Sequence, residues 1–268
     1  IEAHGGTALA VQADVRDPEA VEAMASVIGD AFGTPDILVN NAGTLAMGTA
    51  LAMKREALNE AVDINIEGPL RCAQQFAPPM IDRRRGRIVN ISATSAFGTA
   101  APGIVPHAMT KAALVLWGKH LALELGQYAI TVNTVCPGAI ETETTMPGGA
   151  LHEALKDIRK QQINHTALRR VGTMDDVAGV IAFLVSDDAA FVTGQAISVD
   201  GLTQTTSLGF AIIGTESLDR FLEFYEGDIG MDSSPVSRLE GQGFERHFDL
   251  PAGSRAKAVM MSVGQSSI

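Results

Sequence analysis

Short runs of β-branched and aliphatic residues alternate along this chain with longer stretches whose apolar positions return every three or four residues. Thr7-Ala8-Leu9-Ala10-Val11-Gln12-Ala13-Asp14-Val15 reads as a strand, and Asp17-Pro18 then supplies an N-cap and a proline at the first helical position. The helix that follows keeps Val21, Met24, Ala25 and Ile28 apolar and ends near Gly33. Asp36-Ile37-Leu38-Val39-Asn40 reads as a second, buried strand running into Asn41-Ala42-Gly43. Two helical stretches, about Lys54 to Val62 and Asn65 to Arg83, lead to a third buried strand, Arg87-Ile88-Val89-Asn90-Ile91. A long helix from near Pro106 to Gly126, a strand from Ile130 to Val135, and a capping box at Thr173-Met174-Asp175-Asp176 opening a helix to Leu184 continue the alternation.

Strands separated by helices of this length imply right-handed βαβ units and a doubly wound parallel sheet of the α/β class. Ligands of such sheets bind outside the carboxyl ends of the strands. Asp14-Val15, Asn41-Ala42-Gly43, the loop Ser92-Ala93-Thr94-Ser95-Ala96-Phe97-Gly98 and Pro137-Gly138 all fall at such ends. Singly each has an ordinary explanation: Asp14 could cap the next turn, and Pro-Gly is a generic breaker. The ordered set of four is what points to a site.

The chemistry on that rim is carried by His107-Ala108-Met109-Thr110-Lys111. His107 and Lys111 lie at i and i+4 on one helix face, beside a hydroxyl-rich loop at the end of a strand. An isolated surface pair would look the same, so the surrounding pattern has to decide.

That pattern, a strand, an Asn-Ile-Ser loop, Pro-Gly and a Yxxx(S/T)K-type helix, resembles the core of the short-chain dehydrogenase/reductase family from about Gly5 to Leu202. The resemblance implies a Rossmann-like fold, a nicotinamide cofactor (NAD or NADP), and a small-molecule alcohol or carbonyl substrate. It also implies that Val192 to Gly201 is the last strand of the sheet. Asp14 and Val15 would line the adenine pocket, and Asn41, Ala42 and Gly43 would follow the ribose and diphosphate. Pro137, Gly138, Ile140 and Thr142 would meet the nicotinamide. Lys111 would hold the ribose, Asn65 a proton-relay water, and Thr94 the substrate oxygen. The region Glu143 to Arg169 resembles the family's mobile substrate lid, with His152 and His165 as surface residues. Family members pair through two long helices, here about Asn65–Arg83 and Pro106–Gly126, which implies a homodimer or homotetramer.

Two departures stand out. The family's Tyr position is His107, and its Ser position falls on Ala93 or Thr94, with Ser92 and Ser95 as further hydroxyls. Imidazole titrates near 6.5, and Lys111 beside it would make it harder to protonate. His107 would therefore accept a proton from an alcohol more readily than donate one to a carbonyl, which implies an impaired or altered oxidoreductase. The alternative is a non-catalytic binding member of the same fold. No Gly-rich turn precedes Gly5, so the resemblance further implies a domain truncated at its start, lacking its first strands and exposing a hydrophobic sheet edge.

Composition narrows the field. A chain of 268 residues with 46% hydrophobic and 19% charged residues has core material for one large domain and part of another. Its net charge of -11 argues against nucleic acid and anionic membrane as partners. Cys72 and Cys136 have no metal or redox spacing and read as core thiols of a soluble, cytoplasmic protein. Residues 1–202 form the first expected domain, 203–208 a linker, and 209–268 a small α+β module of βαβββ order. That module, with Gly209–Ile213 as a strand, Ser217–Tyr225 as a helix, and strands near Phe244–Leu250 and Ala256–Met261, resembles half of a vicinal oxygen chelate (glyoxalase-like) unit. Gly209 stands where such modules place a metal-ligating His, so no metal site is expected.

Overall fold

The computed structural model describes residues 2, 5–98, 103–142 and 160–202, and beyond them only 232–233, 237–240, 255–258 and 261–262. The chain divides into two units, Ile1–Thr205 and Thr206–Ile268. In the first, a four-stranded parallel sheet runs β1 (Ile37–Asn40), β2 (Gly86–Ile91), β3 (Ile130–Pro137) and β4 (Ala196–Val199), in that spatial order. The helices are α1 (Pro18–Phe32), α2 (Arg55–Val62), α3 (Gly68–Arg83), α4 (Val105–Leu125) and α5 (Met174–Val185).

Both sheet faces are covered, and the alternation of side chains along β2 assigns them. Ile88 joins a core with Val21 of α1, Phe76 and Met80 of α3, and Ala122 of α4. Its neighbour Val89 turns the other way and packs with Val135 and Leu184 of α5. Each such fully buried aliphatic side chain contributes roughly 1.5–3 kcal/mol. Helix α4 comes close enough to the sheet that a Cβ on Gly118 would stand 2.8 Å from Thr134 Oγ1. Only a residue without a side chain fits there.

Local signals behave as their chemistry requires. Asp17 caps α1 by accepting from the Glu19 amide, with Pro18 in the first turn and Gly33 at φ 73° closing the helix. Thr173 and Asp176 form a reciprocal capping box at the start of α5. Arg83 ends α3, and Arg84 follows in the left-handed region at φ 50°. Both cysteines are buried thiols.

Four sequence expectations are corrected. Residues 7–14 form no strand and are mostly exposed. A strand needs a neighbour for its N–H and C=O groups, and none of the described strands pairs with this stretch. For the same reason β1 is not fully buried: it is an outer strand of the described sheet, leaving Ile37 44% and Val39 38% exposed. The two helices around Asn65 are continuous through a π-helical turn, Asp63–Glu67, rather than separate. Finally, β4 is shorter than Val192 to Gly201, because side chains hold its approach. Val132 N donates to Thr193 Oγ1, and Asn133 bonds both Val192 O and Gln195 N.

In the second unit two antiparallel pairs are described. They join β5 (Asp232–Ser233) to β8 (Met261–Ser262) and β6 (Ser237–Glu240) to β7 (Arg255–Ala258). The expected strand near Ala256–Met261 is thus two short pieces with different partners, and β6 was not anticipated. The expected strands at 209–213 and 244–250 and the helix at 217–225 lie outside the described residues, as do 143–159 of the expected lid.

Candidate active site

The carboxyl ends of β1, β2 and β3 share one margin of the sheet, and α4 lays its first two turns across it. Proline at the start of α4 suits a position whose N–H would have no helical partner. Its buried positions include Thr110, Lys111, Leu114, Val115 and Gly118, the helical stripe facing the sheet. Lys111 therefore points inward, and its ammonium donates to the carbonyl of Ile91 at 2.7 Å, at the end of β2. Burial pushes this ammonium down to about 8. Burial likewise pushes the Cys136 thiol up to about 11, so it stays neutral beside the lysine.

The loop leaving β1 is gripped from two sides. Asn65, wholly buried in the π turn, accepts from Thr44 N at 2.8 Å and donates to Thr44 O at 3.1 Å. Its remaining amide hydrogen goes to Thr110 Oγ1 at 2.9 Å. One turn earlier on α4, His107 brings Nδ1 to 3.1 Å from the same Thr44 carbonyl. A Cβ built on Gly43 would lie 3.2 Å from both Asn65 Oδ1 and Lys111 Nζ, so this residue must be small for the three elements to close. π turns of this kind recur where a helix has to place a functional side chain.

Gly43, Asn65, His107 and Lys111 are thus brought together. Thr94 opens a short 3₁₀ turn next to them, its hydroxyl 3.4 Å from Pro137 O, while Ser92 spends its hydroxyl on Lys111 O at 2.8 Å. Ser92 is therefore not free to polarise a substrate, a correction to its place among the candidate hydroxyls. Ser95 Oγ is buried without a hydrogen-bond partner among the described residues. Along β3's exit, Gly138 N donates to Val199 O, Ile140 bridges to Gly172, and Thr142 is exposed.

Val15, Asn41 and Ala42 line a groove of ≈ 290 Å³ together with Met24, Leu38 and Phe76. Asp14 stands apart from this lining. Its carboxylate is taken by Arg16 through the backbone amide and the guanidinium, which holds it down at about 2. Asp14 thus closes a local turn with the residue two positions on, an arrangement its exposed carboxylate makes at the edge of the groove's Val15.

Burial lowers the His107 imidazole below its ordinary range and Lys111 adds to this, while the bond to Thr44 opposes both. The expected direction holds, but desolvation rather than the lysine is its main cause. Thr44 and Thr110 were not singled out from sequence. Thr110 was findable, since it sits three residues after His107 on the same helix face; Thr44 acts through its main chain, which leaves no trace in residue type.

Residues 1–201 match the family described as Enoyl-(Acyl carrier protein) reductase. The chain is 37% identical over 203 residues to 3-oxoacyl-[acyl-carrier-protein] reductase FabG of Staphylococcus aureus, covering 75% of this chain and 79% of that one. The chain belongs to the short-chain dehydrogenase/reductase family. Among solved structures, it is similar to a short-chain dehydrogenase/reductase from Serratia marcescens (TM-score 0.68, 33% identity, 75% of this chain and 78% of that chain). It is also similar to a gluconate 5-dehydrogenase from Burkholderia cenocepacia in complex with NADP and tartrate (TM-score 0.64, 32% identity, 70% and 72%). Membership makes the chain an NAD(P)-dependent oxidoreductase with a Rossmann-like fold. The Lys111 ammonium, which meets only a main-chain carbonyl and no carboxylate among the described residues, fits such a cofactor, whose sugar hydroxyls take a hydrogen-bonding cation, and the small Ala42 and Gly43 allow close backbone approach. No described helix is long and apolar enough to cross a membrane.

Proposed function

We propose that this chain interconverts an alcohol and a carbonyl on a small organic substrate, working best in the direction of alcohol oxidation. The observation that carries this reading is the closure of Gly43, Asn65, His107 and Lys111 around two main-chain carbonyls, Thr44 O and Ile91 O. Bound NAD(P) supplies the hydride acceptor or donor. Val15, Asn41, Ala42 and Gly43 line its nucleotide half, with Asp14 at the edge, and Pro137, Gly138, Ile140 and Thr142 flank the nicotinamide. Lys111, anchored on the Ile91 carbonyl, would bond the ribose hydroxyls with its remaining donors. Thr94 donates to the substrate oxygen. His107 takes the alcohol proton, and Asn65 holds the loop and a relay water next to Lys111.

The imidazole is less able than a phenol to return a proton to a carbonyl at neutral pH, because burial keeps it unprotonated. Carbonyl reduction is accordingly the weaker direction. Self-association through α3 and α4 into a dimer or tetramer completes the reading, supported by apolar side chains that α4 leaves exposed. The unit from Thr206 onward is read as a partial vicinal oxygen chelate module.

The test is reduced-nicotinamide fluorescence for binding, followed by nicotinamide-linked oxidation of a panel of secondary alcohols by the chain and by His107→Tyr. We expect binding in both, slow turnover in the first, and a gain in carbonyl reduction at neutral pH in the second. Absence of nicotinamide binding, together with no gain from His107→Tyr, would overturn the reading.

A further inference from the structure

The hydrogen bonds around Thr44 decide something that the residue types leave open, namely which nitrogen of His107 carries the proton. A carbonyl oxygen can only accept. Nδ1 lies 3.1 Å from Thr44 O, so the neutral ring must bear its proton on Nδ1 and leave Nε2 bare. His107 makes no other side-chain hydrogen bond among the described residues, so Nε2 is uncommitted. Thr44 O is held in place for this: it accepts a second bond from Asn65 Nδ2 at 3.1 Å, and Asn65 Oδ1 secures Thr44 N at 2.8 Å. Thr110 locks the other end. Its hydroxyl accepts from Asn65 Nδ2 at 2.9 Å and donates to the His107 main-chain carbonyl at 2.9 Å. Asn65 is wholly buried and Thr110 is 1% exposed, so neither can exchange these partners for water.

We propose that Thr110 and Asn65 are positioning residues that brace the Thr44 carbonyl and thereby lock His107 as the Nδ1–H tautomer, with Nε2 bare as the base that takes the alcohol proton. This deepens the proposed function and rests on it for the identity of the reaction. The alcohol O–H bond breaks and its proton goes to Nε2. The carbinol C–H bond breaks with its electron pair going to oxidised NAD(P), and the carbon–oxygen double bond forms. The substrate is oxidised, the nicotinamide is reduced, and the proton then leaves Nε2 for solvent. The reverse reaction needs a protonated Nε2. Among the described residues the one charged group bearing on the ring is Lys111 on its own helix; Asn65, Thr110 and the Thr44 carbonyl are neutral, and no described carboxylate acts on it. Among the described residues only the Thr44 carbonyl favours the protonated form of the ring.

The test reads the tautomer directly and does not need turnover. In the full chain labelled with ¹⁵N histidine, a long-range proton–nitrogen spectrum at neutral pH should show a proton-bearing Nδ1 and a bare Nε2 for His107, assigned by loss of those signals in His107→Gln. On acidification Nε2 should gain its proton with a midpoint below the ordinary imidazole value of about 6.5. Thr110→Val, nearly isosteric, should mix the two tautomers and lower kcat for alcohol oxidation about tenfold, the loss of one buried hydrogen bond, while KM moves less than about twofold. Thr110→Ser should restore both the spectrum and kcat. An Nε2–H tautomer in the native chain, or an unchanged spectrum in Thr110→Val, would overturn the proposal. The expected tautomer without any nicotinamide-linked turnover would leave the brace standing and overturn the functional reading instead.

Discussion

The Lys111 ammonium and the Ile91 carbonyl, twenty positions apart, meet at 2.7 Å and tie helix α4 to the end of strand β2. A cation so placed has given up water for a single neutral acceptor, since no carboxylate pairs with it among the described residues. Stability has been sacrificed there to hold a donor in readiness.

That arrangement makes the cost of Lys111 depend on pH. Its ammonium is pushed down to about 8 in the folded protein, against about 10.4 for a lysine in an unfolded chain. Below about pH 8 both states carry the proton, and folding bears the whole penalty of burying the charge. Between about 8 and 10.4 the folded state releases it first, so stability rises with pH. Lys111→Met should therefore gain most over the native chain below pH 8, and the gain should shrink by on the order of 3 kcal/mol toward pH 10.4. Chemical denaturation of both proteins across that range measures it. A gap that does not change with pH would show the ammonium to be solvated.

Gly43 separates binding from folding. A Cβ there would meet Asn65 Oδ1 and Lys111 Nζ at 3.2 Å each, closer than most side chains tolerate, and the backbone is not in the left-handed region. Gly43→Ala should thus lower the melting temperature only modestly, because the flexible Lys111 end can shift although Asn65 Oδ1, held by Thr44 N, gives little. Nicotinamide affinity should fall about tenfold, the loss of one well-made polar contact. Calorimetric titration with NADH and NADPH reads the affinity; unchanged binding would remove Gly43 from the cofactor path.

Met109, Leu116 and Leu123 stand on α4 at steps of seven and are 51%, 59% and 79% exposed, a narrow apolar stripe turned away from the core. Leu116→Glu with Leu123→Glu should convert an oligomer to a monomer in light scattering. Exposed positions of this kind change stability by only about 0.5 kcal/mol. A native chain that is already monomeric would dismiss the stripe as an interface.

The order of strands and helices, the caps at Asp17 and Thr173, and the shared face of His107 and Lys111 were all legible from residue types. Each depends on neighbours within a few positions, and on periods of two and 3.6 that the chain carries in its own spelling. Two features were not legible: the irregular course of residues 7–14 and the grip of Asn65 and His107 on the Thr44 main chain. Both turn on partners that residue type does not announce. A strand exists only if another lies beside it, and an imidazole takes its tautomer from whatever acceptor the fold delivers, here a main-chain carbonyl 63 positions away. Local chemistry thus determined which side chains reach the rim. Packing of α4 and the π turn against the β1 exit decided what state they are in when they arrive.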